Sequence, residues 1–197
     1  MRINMKKQFI ICLLLTALFS QSYKDLSERP VYKPIKISSS ITFDGKVDLE
    51  EWSNAQVATN FIGSGTFQGE DALLKTEARL MYDDTNLYIS FKAFVDKDEL
   101  RYSITKRDNL DDKDDRVWIN IDAFDDESLT YGIGVSAGGA QIDGRATYGF
   151  DQSLDLIYDT KVQIFDNRYE VEMIIPFSSL RYSLAPIQTW RIDFGRG

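Results

Sequence analysis

The apolar residues of this chain recur with a period of two, a pattern that suits extended strands with one buried face and no regular helix. Residues 79–91, RLMYDDTNLYISF, hold two such runs around Asp83-Asp84-Thr85-Asn86. Ala78, Leu80 and Tyr82 alternate with Glu77, Arg79 and Met81, and Leu87, Ile89, Phe91, Ala93 and Val95 line one face of the return strand. Such a pair of runs across four turn formers predicts a hairpin. Val117, Ile119 and Ile121 form a third inward set, and Tyr131, Ile133, Val135 and Ala137 a fourth. In RYEVEMIIPF, Tyr169, Val171, Met173 and Ile175 face inward while Arg168, Glu170 and Glu172 face outward. Trp190, Ile192 and Phe194 close the series. Many short strands separated by turns predict an all-β fold, an antiparallel β-sandwich.

Helix signals amount to one or two short turns. VDLEEWSNA offers Asp48 as an N-cap with Glu51 three residues on, and KDELRY suits a single turn. Trp52, apolar on one side of that first turn, is expected as a buried plug at an open end of the sandwich. Gly45 suits a turn of positive φ, and Pro176 ends the VEMII strand because proline cannot donate to the ladder.

Residues 1–22 have the composition of an export signal. Arg2, Lys6 and Lys7 precede the apolar run Phe9–Phe19, and Ser20 and Ser22 provide small residues for cleavage. The single cysteine, Cys12, lies in this segment, and Ile11 before it is too large for a lipoprotein signal. The mature chain is then cysteine-free, and the whole chain has no histidine. Disulfides, thiol nucleophiles, histidine triads and histidine or thiolate zinc sites are excluded. Residues 23–34, with two of the four prolines, read as a linker, and residues 35–197 as one domain. Without the signal, 31 acidic residues stand against 20 basic ones, a net charge of −11. That surface repels phosphate backbones, so nucleic acid is not an expected partner. No second long apolar run exists, so no transmembrane helix is expected. The expected location is exported: periplasmic, outer-membrane-associated or extracellular.

Five phrases occur in one order: FDGKVDLEEW, TEARLMYDDTNLYISFKA, DDRVWINIDAF, YGIGVSAGGAQIDG and YEVEMIIPFSSL. Together, over roughly residues 40–195, they resemble family 9 carbohydrate-binding modules and related domains at the N-terminus of longer exported bacterial proteins. The resemblance implies a sandwich that binds saccharides without cleaving them, sometimes with structural calcium. It also implies a following β-rich, barrel-like region in the longer relatives. The family's polar sugar contacts do not carry over. Its acid aligns with Trp118, its Arg with Gly134 and its Asn with Ser136. One clamping tryptophan aligns near Asp112 and the other beyond Gly197, so the domain is expected to lack a further strand and to expose an edge that invites aggregation or pairing.

The candidate site is therefore built from this chain's own residues. Alternation places Arg116, Trp118, Asn120 and Asp122 on one face, with Thr130, Gly132, Gly134 and Ser136 beside them. An outward indole over glycines, rimmed by Asn120, Ser136 and Arg107, makes a platform for the apolar face of a pyranose. Trp118 covering the sheet, or docking a missing domain, is the competing reading. DNLDDKDD, residues 108–115, carries hard oxygen ligands suited to calcium but lacks EF-hand spacing, so a solvated acidic loop is its default and no cofactor is required. GIGVSAGG lacks a P-loop lysine and reads as strand, bulge and turn.

The expected function is a non-catalytic module binding oligo- or polysaccharide, associated with glycoside hydrolysis and carbohydrate catabolism. A structural domain packing on a following barrel-like region is the first alternative. A glycoside hydrolase fragment, supported only by abundant carboxylates, is the second.

Overall fold

A computed structural model describes residues 30–38, 41–63, 69–147 and 149–197. The expected signal and most of the linker lie outside the described residues. The chain divides into two compact units. The described residues of the smaller are 30–31, 62–63 and 69–73, where Ile62 bridges Asp71 and the Gly63 amide donates to the Glu70 carbonyl. The larger, Tyr32–Phe61 with Leu74–Gly197, holds every strand of the described residues.

Among the described residues ten strands form two five-stranded sheets: β1 (Ile35–Lys36), β2 (Thr76–Tyr82), β3 (Asn86–Phe94), β4 (Arg116–Asp122), β5 (Thr130–Ser136), β6 (Gln141–Ala146), β7 (Phe150–Asp151), β8 (Asp159–Phe165), β9 (Arg168–Pro176) and β10 (Arg191–Arg196). One sheet runs β1-β2-β3-β9-β8, the other β10-β4-β5-β6-β7. The pairings are antiparallel except for the two-residue contact of β1 with β2. The inward sets read from the sequence meet between the sheets. Ile89, Phe91, Ala93, Val171, Met173 and Ile175 on one side and Val117, Ile119, Ile121, Ile133 and Val135 on the other are fully buried. Burying such side chains contributes about 1.5–3 kcal/mol each, which makes this layer the main source of stability.

Asp83 closes the β2–β3 hairpin. Its Oδ1 accepts the Thr85 and Asn86 amides, both at 2.7 Å, and its Oδ2 accepts the Tyr88 hydroxyl at 2.7 Å. Burial pushes the carboxyl up, but donation from Thr85, Tyr88 and Asn86 outweighs it and holds the pKa at about 2.

The outer face of the first sheet departs from the expectation. Segment 41–56 lies over it, so Glu170 and Glu172 point away from the main core yet are buried, 2% and 0% exposed. Glu172 accepts the Asp44 and Gly45 amides (3.0 and 2.9 Å) and the Trp52 Nε1–H at 3.1 Å. Glu170 accepts the Val47 amide at 2.7 Å. Buried loop amides need acceptors, and these two carboxylates supply them. Trp52 ends the short helix α1 (Leu49–Trp52) and packs with Val47, Ala55, Met81 and Tyr88 in a second small core. It is buried as expected, but on the sheet's outer face and not at an open end. Asp48 caps α1 through the Glu50 amide, whereas Glu51 reaches back to the Thr42 amide. Gly45 has φ +88°. The expected turn in KDELRY is present, the Glu99 and Leu100 amides both donating to the Asp96 carbonyl. GIGVSAGG is strand and turn with β5 in unbroken register to β6.

Among the described residues β10 pairs with β4 alone, leaving its other edge open. No described helix is long and apolar enough to cross a membrane.

Candidate functional site

The outer face of the second sheet is a grid set by register. One row reads Gly195, Trp118, Gly134 and Ile142 across β10, β4, β5 and β6. The next reads Asp193, Asn120, Gly132 and Gly144. Ile119 and Ile121 between them are 0% exposed in the core, which turns Trp118 and Asn120 outward.

Glycines stand opposite Trp118 on both neighbouring strands, and each has a steric reason. A Cβ on Gly134 would fall 2.7 Å from the Val117 carbonyl oxygen and 2.9 Å from the Trp118 Cβ. A Cβ on Gly195 would overlap the indole, nearest Cε2 and only slightly, and equally, farther from its bonded neighbours Nε1 and Cζ2. A point so placed lies close to the ring normal, so the indole lies flat over Gly195. It continues toward Gly197, where an added Cβ would sit 3.3 Å from Cζ3. One indole face is thus spent on β10 backbone. Trp118 remains half-buried.

Asn120 lies one row further and donates from Nδ2 to Asp193 Oδ2 at 3.1 Å. Asp122, the next outward residue, is buried and accepts the Phe124 and Glu127 amides.

The other two expected rim residues are committed elsewhere. Ser136 pairs with Arg116 by register, but it is 0% exposed and its Oγ accepts the Ala140 amide at 3.1 Å, closing the β5–β6 turn. Arg107 belongs to the opposite side of this sheet, because Asp143 is cross-strand from the inward Ile133. Its Nε donates to Asp143 Oδ1 at 2.7 Å, its Nη1 to Gln141 Oε1 at 3.3 Å and its Nη2 to the Leu156 carbonyl at 2.7 Å. The Tyr158 ring lies 5.2 Å from the guanidinium, and its hydroxyl donates to the Gly134 and Ile142 carbonyls. Burial pushes the Asp143 carboxyl up, against the Leu156 amide and Arg107. Burial also raises the Tyr158 hydroxyl, helped by the Asp143 charge.

The aspartates of segment 108–115 diverge. Asp108 accepts the Asp143 amide, Asp111 the Lys113 amide, Asp114 the Ser103 hydroxyl and Asp115 the Arg101 amide. Asp108, Asp143 and Asp155 do bring carboxylate oxygens within 4.8 Å of one another. They do not fit a calcium ion, since Arg107 already stands among them as the counter-charge.

The bed of Trp118 was not found from the sequence, which placed the indole over Gly132 and Gly134. The usable signal was the alternation of Gly195 and Gly197 in FGRG, but it has meaning only once β10 is known to pair with β4.

A family model described as "Carbohydrate family 9 binding domain-like" matches residues 43–194. Among solved structures, the chain is similar to a family 9 carbohydrate binding module from Caldicellulosiruptor kristjanssonii in complex with cellotriose, at 23% identity and a TM-score of 0.55, covering 82% of this chain and 75% of that one. The glucose complex of a family 9 module from that organism gives 21% identity, a TM-score of 0.54 and coverages of 81% and 76%. A putative carbohydrate-binding protein from Bacteroides uniformis gives 11% identity, a TM-score of 0.61 and coverages of 83% and 81%. No protein with a curated description matches the chain.

Proposed function

The chain belongs to the carbohydrate family 9 binding domain-like family, and we propose that it is a non-catalytic saccharide-binding module whose platform is the outer face of Trp118. The observation that carries this reading is the seating of the indole flat on Gly195. A ring fixed parallel to the sheet presents a rigid apolar surface, and stacking a pyranose on it costs little side-chain entropy. Asn120 and Asp193 beside it offer a donor and an acceptor for hydroxyls. The structural relatives whose complexes hold cellotriose and glucose support the ligand class.

The Trp118 face gives no positive support for a glycosidase. A glycosidase needs two carboxylates about 5–10 Å apart flanking the bond. On this face the Asp193 carboxylate faces Asn120, and the Asp122 carboxylate is occupied by two backbone amides.

The same proposal takes residues 1–22 as an export signal and 23–34 as a linker, which places the module in the periplasm, at the outer membrane or outside the cell, in the service of polysaccharide breakdown. A second reading is a domain that docks a neighbouring β-rich region of a longer protein on the Trp118 face. It is favoured by Gly134 and Ser136 standing where the family's polar sugar contacts align. Glycan-array binding of the purified protein separates the two: saccharide capture that Trp118→Ala removes supports the module, and an array without binding supports docking.

A further inference from the structure

The second sheet carries four arginines in its strands, and three of them are neutralised. Arg145 pairs with Asp151 at 3.2 Å, Arg191 with Asp125 and Glu127, and Arg196 faces Asp115 at 3.8 Å. Arg116 is the exception: no carboxylate of the described residues lies within 4.0 Å of its guanidinium. It is half-buried, and it points outward from β4 two residues before Trp118.

Its distance from the indole is bounded by Gly197. The point where a Gly197 Cβ would stand lies 3.3 Å from Trp118 Cζ3 and 3.4 Å from Arg116 Nε. Nε therefore lies on the benzo side of the platform, no more than 6.7 Å from Cζ3. The acids next to it in sequence are turned away: Asp114 is buried on the Ser103 hydroxyl, and Asp115 accepts the Arg101 amide and faces Arg196. Asp193 stands opposite Asn120, four residues further along β4, which is about 13 Å at the usual strand rise. The face thus has a cation on one side of the indole and an acid, Asp193, on the Asn120 row at the other. An unpaired guanidinium held at a binding face of a chain with net charge −8 suits a bidentate contact to a ligand carboxylate.

We propose that the saccharide taken by this site is acidic: a uronate-bearing glycan stacks its pyranose on Trp118 while Arg116 holds its carboxylate. This rests on the platform reading above and adds the charge of the ligand.

The test is isothermal titration of the protein with cellotriose and with a trisaccharide of β-1,4-linked glucuronate, which differs from cellotriose only in its C6 carboxylates. The glucuronate trisaccharide is expected to bind about 10- to 100-fold more tightly, the range of one charge-assisted contact. Raising the salt concentration should erode that preference. Arg116→Gln should abolish it, and Arg116→Lys should keep part of it. Equal or weaker binding of the acidic ligand, or a preference that survives Arg116→Gln in a folded variant, overturns the assignment of charge and leaves the platform standing. Binding of neither ligand overturns both.

Discussion

Trp118 and Gly195 are direct cross-strand partners, and the indole of the first lies flat on the backbone of the second. The contact needs a residue without a Cβ on β10, so the orientation of the platform is encoded 77 positions from the tryptophan, at Gly195. Gly195→Ala should lift the ring from its bed and weaken saccharide binding at least tenfold. The cost in stability should be about 1–3 kcal/mol, the usual range for overpacking. Titration beside a denaturation curve checks both, and unchanged affinity would mean that the flat seating is irrelevant to binding.

Glu172 is the anchor of segment 41–56. Glu172→Ala strips the acceptor from the Asp44 and Gly45 amides and from Trp52 Nε1. Each buried unpaired donor costs about 1–3 kcal/mol, so several kcal/mol should be lost, with Glu172→Gln milder. Trp52→Ala should cost about 3–5 kcal/mol by the cavity left behind. Denaturant midpoints near that of the parent protein for either alanine variant would contradict this account of the outer face.

Arg107 makes the opposite kind of prediction. Arg107→Ala leaves the fully buried Asp143 carboxylate without its counter-charge, and breaking such a pair costs about 3–5 kcal/mol. Saccharide affinity of the folded fraction should not change. A variant that melts normally and fails to bind would instead place Arg107 at the ligand.

The hairpin predicts a pH dependence. The folded Asp83 carboxyl is held at about 2, below its unfolded value of about 3.9. Its contribution is therefore fully present above pH ~4 and is lost as pH falls toward 2. Melting temperatures of the protein and of Asp83→Asn, compared from pH 6 to pH 2, should converge at the acid end. A constant gap across that range would show that Asp83 donors do not favour the ionised form.

The period-two pattern was enough to place Val117, Ile119, Ile121, Ile133 and Val171 in the core, because alternation reports directly which side of a strand a residue occupies. It does not report what covers the other side. Alternation turns Glu170 and Glu172 away from the core but says nothing of their cover, which comes from residues 41–56, more than a hundred positions away. Trp52 was legible as buried, but its neighbours Met81 and Tyr88 lie on the face that alternation assigns to polar residues. Trp118 and Asn120 were legible as outward neighbours. Ser136 shared their parity, yet its hydroxyl serves the turn at Ala140, a local hydrogen bond that parity cannot see. Arg107 lies in a loop, where no periodicity assigns a face, and only the fold brings it to Asp143.

Trp118→Ala is the most direct test of the central claim. Isothermal titration against a saccharide that the parent protein binds, run beside a thermal melt of the variant, should show binding lost and the melting temperature essentially kept, because the indole rests on glycine backbone outside the main core. Full affinity in the variant, or a collapsed melting temperature, would contradict Trp118 as the binding platform.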